Sequence, residues 1–450
     1  MRPIGPLLSL TLLCAACDSS PPAKAPASAP VKPPTTTGTT VAQPDKPAEP
    51  VKPVKPATPA DTPPAAASLE TLAAGNNALA FDLYARARAT AGNLALSPIS
   101  ISSALTMTWA GARGETAEQM QKVLHVTGEP GQAMDVSGKL LASFGTADSK
   151  VILRVANRLF GEKTYAFQKT YLDQVAAAFG APLEGLDFKG AFEASRVHIN
   201  EWVATQTQDR IKDLIPAGAL DADTRLVLTN AIYFLGDWQL PFERDNTRPE
   251  AFQSAPGATH NVPTMHKSEY LRFAATDGVK LLELPYVGGD VAMTFVLPDA
   301  PAGLDAVEQR LSPATLAAWL GALREEQVSV SLPKFEIDPP SSLSLGDLLK
   351  ALGMPLAFDR SKADFTGIAD PPSPADRLFI SSVFHKAFVK LDEKGTEAAA
   401  ATAVVMARAG SAAPMNPAEF KADHPFLFLL RHVPSGTILF MGRVSDPAKK

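Results

Sequence analysis

One change of texture constrains this chain more than any other feature. Residues 18–67 hold fourteen prolines and no aromatic side chain, with repeated VKP, KPA and TTT elements, whereas 68–450 contain no comparable break. The first segment cannot bury enough apolar surface to offset its chain entropy, so it reads as a disordered, partly polyproline tether. Extended at ~3.1 Å per residue, it would reach ~150 Å. With 46% hydrophobic residues overall, the remainder can bury a large core. Length alone suggests two or three domains, but the unbroken texture of 68–450 reads as one continuous folded unit.

Periodicity assigns the elements of that unit. SLETLAAGNNALAFDLYARA sets Leu69, Leu72, Leu79, Phe81 and Leu83 at roughly helical spacing, with Ser68 as the cap. Further helices are expected at 97–110, 115–125, 192–208 and 304–321. Strands are expected at 151–160, 225–235, 279–285, 291–297, 328–335, 378–391, 426–431 and 437–443. Strands dominate the later chain, which predicts an α+β fold, a large antiparallel or mixed sheet with helices packed on it.

The first seventeen residues, MRPIGPLLSLTLLCAAC, join an early arginine to an apolar run too short to span a bilayer, the pattern of an export signal. Both cysteines, Cys14 and Cys17, lie inside it, so no internal disulfide is expected in the exported chain. The stretch CAAC resembles the bacterial lipoprotein cleavage box, with Cys14 where that box usually has leucine. Two outcomes stay open: lipidation of Cys17 and a membrane anchor, or an ordinary cleaved signal and soluble release.

The net charge is −5, and the basic residues are scattered, so nothing asks for nucleic acid or a polyanion as partner. No G-x-S-x-G elbow, H-E-x-x-H helix or phosphate-binding glycine loop occurs. The seven histidines, His125, His198, His260, His266, His385, His424 and His432, form no i, i+4 pair and no tight cluster with carboxylates, so no metal or cofactor is expected. A triad can still assemble from distant residues, which keeps an unrecognised hydrolase as a rival reading.

Five segments carry a stronger signal: NLALSPISISSALTMTWAGARGETAEQM (93–120); INEWVATQTQDRIKDLIPAGALDADTRLVLTNAIYFLGDWQLPFE (199–243); VSVSLPKFEID with LGMPLAFD and ADFTGI; ISSVFHKAFVKLDEKGTEAAAATAV; and FKADHPFLFLLRHVPSGTILFMGRVSDP (420–447). In this order they resemble the serpin family, proteinase inhibitors that insert a cleaved loop into their own sheet. The resemblance implies a serpin fold, a single domain (68–450) of three β-sheets with eight or nine helices and an exposed reactive-centre loop. It also implies an inhibitor rather than an enzyme. Asp209 stands where many members carry glycine.

The stretch DEKGTEAAAATAVVMARAG (392–410) admits two readings. By propensity EAAAATA is a helix former or a flexible alanine loop. Read as a strand, one face carries Thr396, Ala398, Ala400, Thr402, Val404 and Met406, and the other carries Glu397, Ala399, Ala401, Ala403, Val405 and Ala407. The only charge in that run falls on the second face, so the first can be buried without stranding an ion. Gly395 then supplies a permissive backbone pivot.

The resemblance assigns roles by position. Glu393, Gly395, Thr396, Glu397, Ala398, Ala399, Ala400 and Ala401 match the hinge. Ser97, Ser100, Asn230 and His385 match the shutter beneath the sheet, and Trp238 matches the tryptophan at the insertion point. The scissile bond falls at Ala409–Gly410, which suits an elastase-like pocket, or at Arg408–Ala409, which suits a trypsin-like one; Met406 is a third position. The expected partner is an extracellular serine proteinase, met by a monomer. Rival readings are a non-inhibitory member acting as substrate or binding module, and an inhibitor of cysteine proteinases.

Overall fold

The computed structural model describes residues 68–143, 151–180, 183–373, 376–396 and 416–450, all within one compact unit, Pro63–Lys450. These residues form nine α-helices: α1 (Leu69–Ala87), α2 (Pro98–Ala110), α3 (Gly114–Leu124), α4 (Pro130–Ser143), α5 (Lys169–Phe179), α6 (Phe188–Gln206), α7 (Leu304–Gln309), α8 (Pro313–Ala322) and α9 (Gly346–Leu352). Their starts follow local chemistry. Ser68 and Thr71 make a reciprocal capping box on α1, each side-chain oxygen accepting the other's backbone N–H. Asp187 caps α6 through the N–H of Gly190 at 2.8 Å, so the helix begins at Phe188, four residues before the expected start. The single helix expected at 304–321 is two, because Ser312 caps a new helix and Pro313 cannot continue the old one.

The strands are β1 (Leu94–Leu96), β2 (Val151–Glu162), β3 (Glu184–Leu186), β4 (Leu226–Asp237), β5 (Arg248–Ala255), β6 (Ala258–Thr276), β7 (Val279–Pro285), β8 (Val291–Pro298), β9 (Arg324–Pro333), β10 (Phe335–Ile337), β11 (Leu343–Ser344), β12 (Ser382–Leu391), β13 (Gly395–Thr396), β14 (Ala418–Lys421), β15 (Phe426–His432) and β16 (Thr437–Val444). Hydrogen bonding joins them into two networks. The main sheet runs β10–β12–β13–β4–β2–β3, with β11 on β12 and a direct pairing between β12 and β4. The other runs β1–β16–β15–β8–β7–β6–β9–β14, with β5 on β6. That network divides at β6, whose first half pairs with β5 and whose last residues pair with β7. The two mixed networks, with the nine helices packed on them, make up the expected α+β fold, and β9 pairs along β6 across the change of partner.

The sequence of β4, LVLTNAIYFLGD, is a nearly continuous apolar run because both of its faces are covered. Leu228, Ile232 and Phe234 face α2 and the second network, while Val227, Ala231 and Tyr233 pack with Ile199 and Val203 of α6 and with Ile211, Leu214 and Ile215. Helix α2 is apolar or small all round for the same reason: it is buried along nearly its whole length. Among the described residues, no helix is long and apolar enough to cross a membrane.

Candidate functional site

The main sheet contains a seam. β12 and β4 run parallel and paired from Ser382↔Val227 to Phe388↔Tyr233. Beyond that point β13 lies between them, antiparallel to both, with Thr396 opposite Leu391 on one side and Gly236 on the other. The chain leaves β12, turns through residues 392–394, and re-enters its own sheet as a two-residue wedge.

Backbone and side chains both hold this turn. The N–H of Asp392 donates to the carbonyl of Gly395 at 2.9 Å, and the backbone N–H groups of Trp238 and Phe242 donate to the carbonyls of Lys394 and Glu393 at 2.7 and 2.8 Å. Trp238 also donates its Nε1–H to the Asp392 carbonyl at 3.1 Å and stacks on Tyr286, with centroids 4.3 Å apart. The buried Glu393 carboxylate accepts from Lys334 Nζ at 2.8 Å and from Thr247 Oγ1 at 2.9 Å. Burial opposes its ionisation, but the Lys334 ammonium and the hydrogen bonds outweigh that and hold its pKa below the usual value.

Thr396 is 1% exposed, and its Oγ1 lies 2.5 Å from Tyr286 Oη, a phenol whose pKa burial pushes up. Beneath it is a dry apolar gap lined by Phe234, Met293, Val389, Leu430 and Phe440, too small for a water molecule. Gly395 plays a part other than the expected pivot. It is absent from the left-handed region, yet a Cβ there would sit 2.0 Å from the Gly236 carbonyl. Glycine is needed for close approach of two strands, not for a reversal. Asp209 does occupy the left-handed region, with φ of 62°, as befits a position where glycine is common.

A second cluster crosses the same seam lower down. Asn157 of β2, Asn230 of β4 and His385 of β12 lie in one row of the sheet register. Asn230 Nδ2 donates to Ser100 Oγ at 2.7 Å and to Asn157 Oδ1 at 3.0 Å, and Ser100 Oγ donates to Asn157 Oδ1 at 2.9 Å. His385 Nδ1 bonds Asn230 Oδ1, while its Nε2 accepts the backbone N–H of Ser97 at 3.1 Å. Ser97 Oγ donates to the Leu439 carbonyl at 2.7 Å. Burial pushes the His385 pKa down to about 3, so the ring is neutral and matched to one donor and one acceptor. It is fully committed to the row, which leaves it no role as a general base.

The structure therefore gathers Ser97, Ser100, Asn230 and His385 at one point, and Glu393, Gly395, Thr396 and Trp238 at another. Glu397, Ala398, Ala399, Ala400, Ala401, Arg408, Ala409, Gly410 and Cys17 lie outside the described residues. Sequence reasoning missed Asn157, Tyr286, Thr247 and Lys334. Lys334 had a signal, a lone cation in the apolar run VSVSLPKF. Among the described residues, no group of three His, Cys, Asp or Glu side chains could hold a metal ion.

Residues 74–447 match the family described as Serpin (serine protease inhibitor). The chain is 41% identical over 392 residues to the leukocyte elastase inhibitor of Sus scrofa, covering 84% of this chain and 100% of that protein. It is 39% identical over 399 residues to human Serpin B3, with the same coverage, and 39% identical over 364 residues to human antithrombin-III, covering 80% of this chain and 77% of that one. Among solved structures, uncleaved ovalbumin matches with a TM-score of 0.76 at 30% identity, covering 84% of this chain and 100% of that one. With five ordered motifs, this architecture and these matches, the chain belongs to the serpin family of serine protease inhibitors, not to an enzyme family.

Proposed function

We propose that the protein is a suicide inhibitor of extracellular serine proteinases of elastase-like specificity. A proteinase attacks a loop bond at Ala409–Gly410, or at Arg408–Ala409, and forms an acyl-enzyme with its own nucleophile and oxyanion hole. Before water completes hydrolysis, the freed amino-side segment enters the seam between β4 and β12 and carries the attached proteinase with it.

One observation carries this reading: Thr396 already sits in the sheet as the last residue of the two-residue wedge, so the segment that follows it starts from the open end of the seam. The residues that follow on its face, Ala398, Ala400 and Thr402, are small and uncharged, so the wedge can lengthen without burying an ion. The row of Asn157, Asn230 and His385 lies across the same strands, so the side chains that must exchange partners when β4 and β12 separate are gathered at the seam. An elastase-like target is supported by Ala409 and by the similarity to leukocyte elastase inhibitors. Export with lipidation at Cys17, and display on a bacterial envelope at the end of the 18–67 tether, complete the proposal.

The test is incubation of the chain with elastase and with trypsin. An adduct that survives boiling in detergent, with a released peptide starting at Gly410, supports the elastase assignment; a peptide starting at Ala409 moves it to trypsin-like enzymes. Cleavage with no adduct refutes inhibition and leaves the substrate or binding-module reading.

A further inference from the structure

A strand that enters the seam must pass beneath α6 and the segment after it. Ile199 and Val203 of α6, with Ile211, Leu214 and Ile215, share one apolar cluster with Ala231 and Tyr233 of β4 and Phe384 and Phe388 of β12. That cover lies across both sides of the seam.

On the β2–β4 side the cover carries a polar joint. Arg158 follows Asn157 on β2 and so projects from the opposite face, toward α6. Its Nη1 donates to Glu184 Oε2 of β3 at 2.5 Å, and its guanidinium carbon lies 4.6 Å from the ring centroid of Trp202 on α6. Glu184 Oε1 is also 2.7 Å from His198 Nε2 of α6. Trp202 meets Phe160 of β2 edge-on at 5.6 Å. Arg158 Nε is buried without a hydrogen-bond acceptor, so the indole face is what stabilises that part of the guanidinium.

We propose that Arg158 is a positioning residue for loop insertion. Through Glu184, His198 and Trp202 it fastens α6 to the β2–β3–β4 side of the seam and sets how fast a strand enters beneath it. Apolar contact is non-directional and re-forms on the small side chains of an incoming strand. The joint is directional, and it breaks when α6 lifts from β2. Its contribution therefore stands in the barrier to entry.

This inference rests on the insertion reading above, and one experiment separates the two. The intact chain is incubated with a synthetic peptide of residues 396–409, TEAAAATAVVMARA, and the rate of stable incorporation is followed on native gels. Arg158→Met is expected to take up the peptide about fivefold faster than the parent, with Arg158→Lys between them because it keeps the pair with Glu184 and loses the flat stacking. Glu184→Gln, a milder change at a partly exposed site, is expected to speed uptake about twofold and carries the test if Arg158→Met fails to fold. A merely structural role would lower the melting temperature of the variants and leave uptake unchanged. Equal uptake by parent and all folded variants overturns the role of Arg158 alone, whereas a parent chain that takes up no peptide overturns the insertion reading and this inference together.

Discussion

Replacing His385 by glutamine should remove a large part of the protein's sensitivity to mild acid. The neutral imidazole donates from Nδ1 to Asn230 and accepts the Ser97 N–H at Nε2, so the folded protein has no acceptor for a second ring proton. Burial pushes its pKa down to about 3, whereas in the unfolded chain the ring protonates near the ordinary 6.5. The unfolded state thus binds a proton that the folded state refuses. Stability from this group is complete above about pH 6.5 and falls on acidification toward pH 3 by about 1.4 kcal/mol per pH unit. Between pH 7.5 and pH 5 the loss comes to about 2 kcal/mol. Urea denaturation at these two pH values, for the parent and His385→Gln, measures it. His266 and His432, also depressed by burial, contribute with the same sign in both proteins and cancel in the difference. The parent should lose about 2 kcal/mol more than the variant on moving to pH 5. Equal losses would refute the claim that the seam holds a neutral histidine.

Other outcomes follow from the wedge. Thr396→Arg places a cation where the side chain is 1% exposed and Tyr286 waits for a hydroxyl, so it should abolish adduct formation and leave a cleaved substrate, read by denaturing gel. Gly395→Ala sets a Cβ 2.0 Å from the Gly236 carbonyl and should expel β13, measured as faster amide exchange at residues 394–396. Lys334→Met leaves the buried Glu393 carboxylate without its cation and should cost about 1–3 kcal/mol in urea denaturation, with Lys334→Arg recovering most of it.

Much of the fold could be read from residues 68–450, but unevenly. Strands covered on both faces, such as Leu226–Asp237 and Val291–Pro298, announce themselves as apolar runs and were placed to within two residues. The longest strand, Ala258–Thr276, escaped because one of its faces is wet: ATHNVPTMHKSEYLRFAAT mixes His, Lys and Glu with a central proline, which reads as loop. Helices α4, α5 and α9 were likewise unread, the last of them only seven residues long. The site divided in a similar way. Glu393, Gly395, Thr396, Asn230 and His385 were found by motif resemblance, while Lys334, Tyr286, Thr247 and Asn157 matter through tertiary neighbours that the motifs do not name. Gly395 shows the limit most clearly, since its need for glycine comes from a carbonyl on a strand 159 positions earlier.

The central claim is that cleavage turns the segment after Thr396 into a strand between β4 and β12. Amide hydrogen exchange of the cleaved inhibitor, read peptide by peptide over 396–407, addresses it directly. Once the loop is cut, the amides of 397–407 should become as slow as those of 227–233 and 382–388. Amides there that exchange fast in a detergent-stable complex would contradict it.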